Sequence, residues 1–535
     1  MKTTRTFISI VALVLLGIVL SFLSGRMNAI RYNAHLTDTT PLENAPPMVA
    51  FTSVALGGFR GLAADLLWLR MRRLQEDSKY FEMVQLADWI IKLQPRNTDS
   101  HAFLGWNMSY NISVTFTSFE DRWRWVKRGF ELIRDEGLDL NPGDPELFRQ
   151  LGWIFQHKMS QDMDDANRYY KTEFAKEIIR LFADYYHKWD LLINAPSNEE
   201  KLRAALGGKT DFWKIINRHG YANFQEFERR FRELAVIPPE VDGELTELGI
   251  KETVEICLRQ RWMTQKYRLE PDWLKRLDEK YGTLDWRLPE AHAIYWAERG
   301  REKWLGEKDS FKRLQCDRMI FQSLYLAFQK GRLIYLKDLD HLEMTPNIQV
   351  VDALNKKYEE AWDTYGESLI HGAYGNFLVN AIVILYQFGE RKKAEEFRKL
   401  GQARPIYGTR FNKPLDEFVL IELEEDMKSA SYAQAQATVQ SYLMNSYYQS
   451  SIGEEEVAAS YALLAKQMYD KYQKFVEGSE KRRALPPWKQ MAKTSLELTK
   501  ERIPKPLANV LEKRQPKDGE VFIPQAKDIK APTVK

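Results

Sequence analysis

Cysteine is nearly absent. The two present, Cys257 and Cys316, exclude a disulfide-stapled scaffold, and no Cys-x-x-Cys is available for zinc or dithiol chemistry. Charge of one sign is also scarce: 78 Lys and Arg stand against 75 Asp and Glu, a formal charge of +3, which argues against a dedicated nucleic-acid binder. Neither His-Glu-x-x-His nor Gly-x-Ser-x-Gly occurs. Gly207-Gly208-Lys209-Thr210 ends like a phosphate-binding loop, but Arg203 stands where the first glycine is needed, so the backbone cradle cannot form. With no catalytic constellation, the expectation is a protein that is not an enzyme and uses no cofactor and no metal.

What is present is a spacing. Leu93-Gln94-Pro95 and Leu140-Asn141-Pro142 are each followed by a Leu-Gly pair, Leu104-Gly105 and Leu151-Gly152. In a tetratricopeptide repeat the proline closes one unit, and Leu-Gly occupies the seventh and eighth positions of the next. Counted from Pro95 and Pro142, the next units begin at Thr98 and Pro145, and both pairs fall in phase. The stretch 50–192 thus resembles tetratricopeptide repeats, which implies an all-α, TPR-like helical-repeat solenoid. Glycine at the eighth position lets the two helices of a pair approach closely.

Ala64–Asn97 fits a first unit, with Leu66, Leu67, Leu69 and Leu74 expected to supply its first helix, and Phe81, Val84, Ile90 and Ile91 its second. The second unit reaches Pro142 roughly a dozen residues late for a repeat of this type. The excess falls around Asn111–Thr117 and is expected as a loop between the paired helices, on a face often used for binding. Phe119, Trp123, Val126, Phe130 and Ile133 then alternate at helical spacing and define a buried face, with Arg122, Arg124, Lys127 and Arg128 on the solvated side.

Thr6–Gly25 is uncharged and about as long as a bilayer-spanning helix, 20 residues or so. Ser21-Phe22-Leu23-Ser24 is a poor cleavage site, so an uncleaved single-pass anchor within 1–27 is favoured over a signal peptide. Lys2 and Arg5 precede the span, which supports a cytoplasmic N-terminus. Residues 28–49 read as a linker with Pro41, Pro46 and Pro47. Ala50–Phe59 is apolar but too short to cross; it could lie in the interface or cap the repeats. Residues 193–285 hold no repeat phase and read as a helical insert or degenerate repeats. Residues 286–480 return to helical repeats, the best being 371–405, with Gly389 at the turn, Ala394 at the close contact, and Phe397 and Leu400 in the second helix. Helices are expected at Leu415–Ser429, Tyr432–Tyr448 and Glu454–Val476, and 481–535 reads as a basic, proline-containing tail, extended from Glu501 onward.

Tyr281-Gly282-Thr283-Leu284-Asp285-Trp286-Arg287-Leu288-Pro289 leads into Glu290-Ala291-His292-Ala293-Ile294-Tyr295-Trp296-Ala297. With Gly58-Phe59-Arg60-Gly61 and Trp68, this run resembles a family of bacterial membrane-anchored repeat proteins of unassigned function, and the resemblance brings no catalytic residue with it. His157 with Asp162, Asp164 and Asp165 offers metal-ligand chemistry, although helix ends explain those aspartates more simply. His292 reads as a packed histidine, and Asp338, Asp340 and His341 as a solvated loop.

Fifteen Trp, 25 Tyr and 27 Phe serve either wide helical cores or an aromatic-lined groove. The reading adopted is a scaffold at the bacterial inner membrane, its bulk in the periplasm. It would bind a protein or peptide partner within a membrane complex, and no nucleic acid. Trp106, Asn107, Tyr110 and Asn111, beside Gly105 and the expected loop, are the candidate partner-binding residues. The alternative is a periplasmic glycan-binding protein or enzyme, stacking sugars on the Trp-rich region Trp262–Trp304.

Overall fold

The computed structural model describes residues 15, 17–19, 22–23, 25–27, 29–30, 59–207, 212–304, 311–336, 341–424, 432–477, 484–516 and 520–525. The chain is all-α, with 78% helix against 2% strand. Of the apolar run Thr6–Gly25, the described residues Leu15, Ile18, Val19, Phe22 and Leu23 are helical and exposed. Apart from Gly17 and Gly25, the rest of that run, and nearly all of the 28–49 linker, lie outside the described residues.

Helices α1 (Phe59–Glu76) and α2 (Tyr80–Leu93) pack together, and the chain turns between them at Ser78, whose φ is +58°. Their shared face uses Met71, Leu74, Met83, Leu86, Ala87, Ile90 and Ile91. Leu66, Leu69 and Phe81 belong to these two helices, as expected, but are exposed. The helical period that buries Ala64 and Met71 turns Leu66 and Leu69 to the opposite side.

Helix α3 begins at Thr98 and α5 at Pro145, the two residues where the spacing places repeat starts. Asp144 caps α5, accepting from the amides of Glu146 and Leu147, and Pro145 occupies the first turn, where its missing N–H costs nothing. Between them lies α4 (Phe119–Glu131), capped by Ser118. The loop expected at Asn111–Thr117 shrinks to its last residues: α3 (Thr98–Asn107) runs on through a π-helical stretch, Met108–Ile112, and a 3₁₀ turn ending at Thr115, which leaves residues 116–118 as the connection. The extra residues lengthen the helix because Ser109, Ile112 and Ser113 continue its buried face. The serine hydroxyls are satisfied within the helix, donating to the carbonyls of Gly105 (2.9 Å) and Ser109 (2.6 Å). Helix α4 likewise passes into a π stretch, Leu132–Gly137, and α5 (Pro145–Trp153) into another, Ile154–Ser160.

The second helix of the α5 pair is not the next one in sequence. Helix α6 (Asn167–Phe182) touches the π end of α5, but the helix lying along α5 is α14 (Pro289–Lys303). A Cβ on Gly152 would stand 3.3 Å from the Ala297 nitrogen, and one on Gly300 would stand 3.3 Å from the Pro145 carbonyl oxygen. The Phe148 ring stacks on Trp296 at 5.9 Å. The intervening chain, wider than the 193–285 expected from sequence, holds α6 together with α7 (Trp189–Ile193), α8 (Glu199–Leu206), α9 (Phe212–Arg218), α10 (Phe224–Leu234), α11 (Pro239–Glu247), α12 (Lys251–Lys266) and α13 (Pro271–Tyr281). Buried Arg259 on α12 ties this unit together, donating to the carbonyls of Arg180, Leu181 and Ala235 at the C-terminal ends of α6 and α10.

Helix α15 (Phe311–Lys330) packs on α14 and α5, and a short antiparallel hairpin follows, β1 (Arg332–Leu336) against β2 (His341–Thr345), with Ile334 opposite Glu343. His341 opens β2 instead of lying in a loop, while Asp338 and Asp340 are outside the described residues. Asp285 anchors the hairpin by accepting from the Leu333 amide (2.7 Å) and from Arg287. Beyond α16 (Val351–Tyr365), α17 (Glu367–Gln387) and α18 (Arg391–Gln402) form an antiparallel pair. It turns at Gly389, φ +81°, a conformation that favours glycine. Helix α17 is, among the described residues, the one long and apolar enough to cross a membrane; its Tyr374, Phe377, Leu378, Ala381 and Leu385 are fully buried against neighbouring helices.

Helix α19 (Leu415–Glu424) is followed by α20 (Tyr432–Ser451) and α21 (Glu455–Glu477); residues 425–431 lie outside the described set. The region expected as a tail contains two helices, α22 (Trp488–Arg502) and α23 (Lys505–Lys513). Pro504 and Pro506 sit at the start of α23, where proline favours helix initiation, and Leu511 joins a second core with Val439, Leu443, Tyr447, Met468 and Leu496.

Candidate functional site

Three helices separated in sequence present the same kind of face to one open groove. Asp99, Ala102, Phe103 and Trp106 come from α3; Glu146, Arg149, Gln150 and Trp153 from α5; Gln315, Arg318, Met319 and Gln322 from α15. Each set steps three, one and three residues, which places four side chains on one helix face. The groove encloses about 740 Å³, the size of a site for a short peptide segment or another drug-sized ligand.

An aromatic column forms one side. Trp106 stacks on Tyr110 at 5.4 Å, Tyr110 meets His157 at 5.8 Å, and His157 stacks on Trp153 at 4.6 Å. The Tyr110 hydroxyl lies 3.3 Å from His157 Nδ1. Burial, with Lys158 next to it, pushes the His157 imidazole below its ordinary range. Lys158 itself stands over the Tyr110 ring at 5.4 Å and donates to Asp164 at 2.5 Å.

Polar groups make up the rest of the lining. Arg149 and Gln150 both donate to the Glu146 carboxylate, at 3.0 Å each. Burial alone would raise that carboxyl, but the bonds from Arg149 and Gln150 outweigh it and hold it below the usual range. Glu146 and Arg149 thus cancel one another, whereas exposed Arg318 has no ion-pair partner among the described residues. Amides at Gln150, Gln315 and Gln322 add groups that both donate and accept, and Gln322 already accepts from Gln156.

Of the four residues singled out from sequence, Trp106 lines the groove and Tyr110 supports it from behind. Asn107 is fully buried, donating to the Phe103 carbonyl (2.8 Å) and accepting from Asn111 (2.6 Å). That pair holds the helix at its entry into the π stretch and does not line the groove. Trp153 was missed, although a signal existed: Leu104-Gly105-Trp106 and Leu151-Gly152-Trp153 are the same tripeptide in the same phase. The α15 contribution carried no such signal.

The other candidates are structural. Asp164 accepts from Lys158, Arg122, Tyr170 and the Ala166 amide, and Asp162 pairs with Lys330. Among the described residues no group of three or more His, Cys, Asp or Glu is placed to hold a metal. Arg122, Arg124, Lys127 and Arg128 are each paired with acids. Trp262, Trp273, Trp286 and Trp296 are at most 8% exposed and belong to the core, while Trp304 is half-buried. His292 is packed between Phe155 and Phe174, its Nε2–H donating to the Trp286 carbonyl at 2.7 Å. Cys257 and Cys316 are both buried and unpaired.

The fold and site define an all-α protein with an open groove floored by three helices. No family model, curated protein or solved structure matches the chain.

Proposed function

We propose that this chain is a TPR-like helical-repeat scaffold, held at the bacterial inner membrane by Thr6–Gly25 with its bulk in the periplasm, that grips an extended segment of a partner protein in the groove. The supporting observation is the alignment of α3, α5 and α15. Two of these begin at the residues where the repeat phase starts, and the third follows the helix that pairs with α5. First helices of successive pairs would then line one groove, as a repeat array requires. Trp106 and Trp153 supply apolar contact, the glutamine amides engage the peptide backbone, and Arg318 favours an acidic group on the partner.

The test is recovery of partners from native membranes in mild detergent, comparing the natural chain with Trp106→Ala/Trp153→Ala. Buried aromatic anchors of this kind cost about 2 kcal/mol or more each when truncated, so the double variant is expected to lose a partner recovered in near-equal amount with the natural chain. Undiminished recovery by a variant with an unchanged helical spectrum would overturn the groove assignment.

A further inference from the structure

Helix α1 is apolar on two opposite sides. Ala64, Met71 and Leu74 pack inward, while Leu62, Leu66 and Leu69, at i, i+4 and i+7, are 60%, 61% and 59% exposed. At 100° per residue these three leucines cluster directly opposite the packed face; Arg70 flanks them on one side, Arg72 with Asp65 on the other, and Arg73 continues the stripe. Arg70, Arg72 and Arg73 have no ion-pair partner among the described residues. A protein partner would be expected to bring acids to such arginines. A leucine stripe bordered by long cations that can extend their charges sideways instead matches the boundary between acyl chains and anionic headgroups. Among the described residues this helix is the next one after the apolar N-terminal run, and in sequence it adjoins the apolar Ala50–Phe59 stretch.

We infer that α1 lies in the plane of an anionic membrane surface, its Leu62–Leu66–Leu69 stripe in the acyl boundary and Arg70, Arg72 and Arg73 on lipid phosphates. This rests on the membrane-anchored reading, and it sets the attitude of the whole groove-bearing body: α2 and the repeats behind it stand off from the lipid on the packed side of α1. The inference concerns a surface separate from the groove, so loss of partner binding leaves it untouched.

The experiment uses the full chain in vesicles of phosphatidylethanolamine and phosphatidylglycerol. Because Cys257 and Cys316 are buried, a cysteine introduced as Leu66→Cys takes an environment-sensitive fluorophore selectively; Met163→Cys, at an exposed apolar position elsewhere, is the control. The Leu66 probe is expected to be quenched severalfold more by nitroxide-bearing lipid than by aqueous iodide, and the Met163 probe the reverse. Arg70→Gln/Arg72→Gln/Arg73→Gln should reduce the lipid quenching in anionic vesicles and leave it unchanged in neutral ones. A Leu66 probe open to iodide, or shielded from both quenchers by protein, would overturn the inference while the chain still floats with vesicles. A chain that does not float with vesicles at all would remove the membrane reading beneath it.

Discussion

Gly105 on α3 and Gly129 on α4 face one another so closely that a Cβ on Gly129 would stand 2.6 Å from the Gly105 carbonyl oxygen. A Cβ on Gly105 would meet Ile133 at 2.6 Å. At Gly129 the Ser109 hydroxyl is nearest and could turn aside, but the Gly105 carbonyl beside it is backbone and cannot. Gly129→Ala should therefore cost about 1–3 kcal/mol through forced separation of the two helices. Gly143→Ala, where nothing lies within 4 Å, should stay within about 0.5 kcal/mol of the natural chain. Thermal unfolding followed by circular dichroism separates the two, and equal midpoints would show that α3 and α4 have room to spare.

Asp285 is the junction between the inserted helices and the hairpin. Its carboxylate accepts from the Tyr186 hydroxyl (2.8 Å), the Leu333 amide (2.7 Å) and the Arg287 guanidinium (2.7 Å). Removing it leaves a largely buried cation and a strand amide without their partner, a loss of about 3–5 kcal/mol in comparable settings. Asp285→Ala should lower the unfolding midpoint and make 331–346 the first site of limited proteolysis. Cleavage elsewhere first would show that the hairpin is held by other contacts.

His292 predicts a pH dependence with a definite sign. Burial pushes its imidazole down to about 4, with the Trp286 bond opposing the shift, whereas the unfolded chain keeps the ordinary value of 6.5. Below pH 6.5 the unfolded state takes up a proton that the folded state refuses. Stability is thus fully present above pH 6.5 and falls as pH drops toward 4, by about 3 kcal/mol for this group. Burial lowers His101 as well, so part of the slope belongs to it. His292→Gln keeps a donor for the Trp286 carbonyl and should flatten the profile between pH 6.5 and 4. An unchanged slope would assign the effect to other groups.

The sequence was most legible where local chemistry decides. Thr98 and Pro145 mark helix starts because the preceding Asn97 and Asp144 adopt extended backbone at the N-cap, and the Leu-Gly pairs mark close contacts because only glycine tolerates them. The helix pair around Gly389 was legible for the same reason. The pairing of α5 with α14 was not, since a helix face specifies that it must be covered but not by which distant segment. The π stretches were hidden too: the excess length between Gly105 and Pro142 read as a loop at Asn111–Thr117, and only the tertiary setting reveals Ser109 and Ser113 bonding back along the helix. The groove was half legible. Trp106 followed from the repeat phase, as Trp153 could have, but α15 joins them through packing that leaves no mark in its own sequence.

The α5–α14 pairing has a consequence for the order of assembly. On the ribosome, Leu147, Phe148, Leu151 and Phe155 emerge long before Ala293, Trp296 and Ala297, and the buried Lys171–Glu290 ion pair behind them joins residues 119 positions apart. At ordinary elongation rates that interval is on the order of ten seconds. Throughout it, the α1–α4 portion can fold on local contacts, while α5 offers an apolar face with no helix to cover it. The nascent chain therefore passes through a state in which the apolar face of α5 is open to mispairing or to a chaperone. Closure of the groove-bearing body must wait for the inserted helices to finish, so its contacts are late ones, of long range and slow to form.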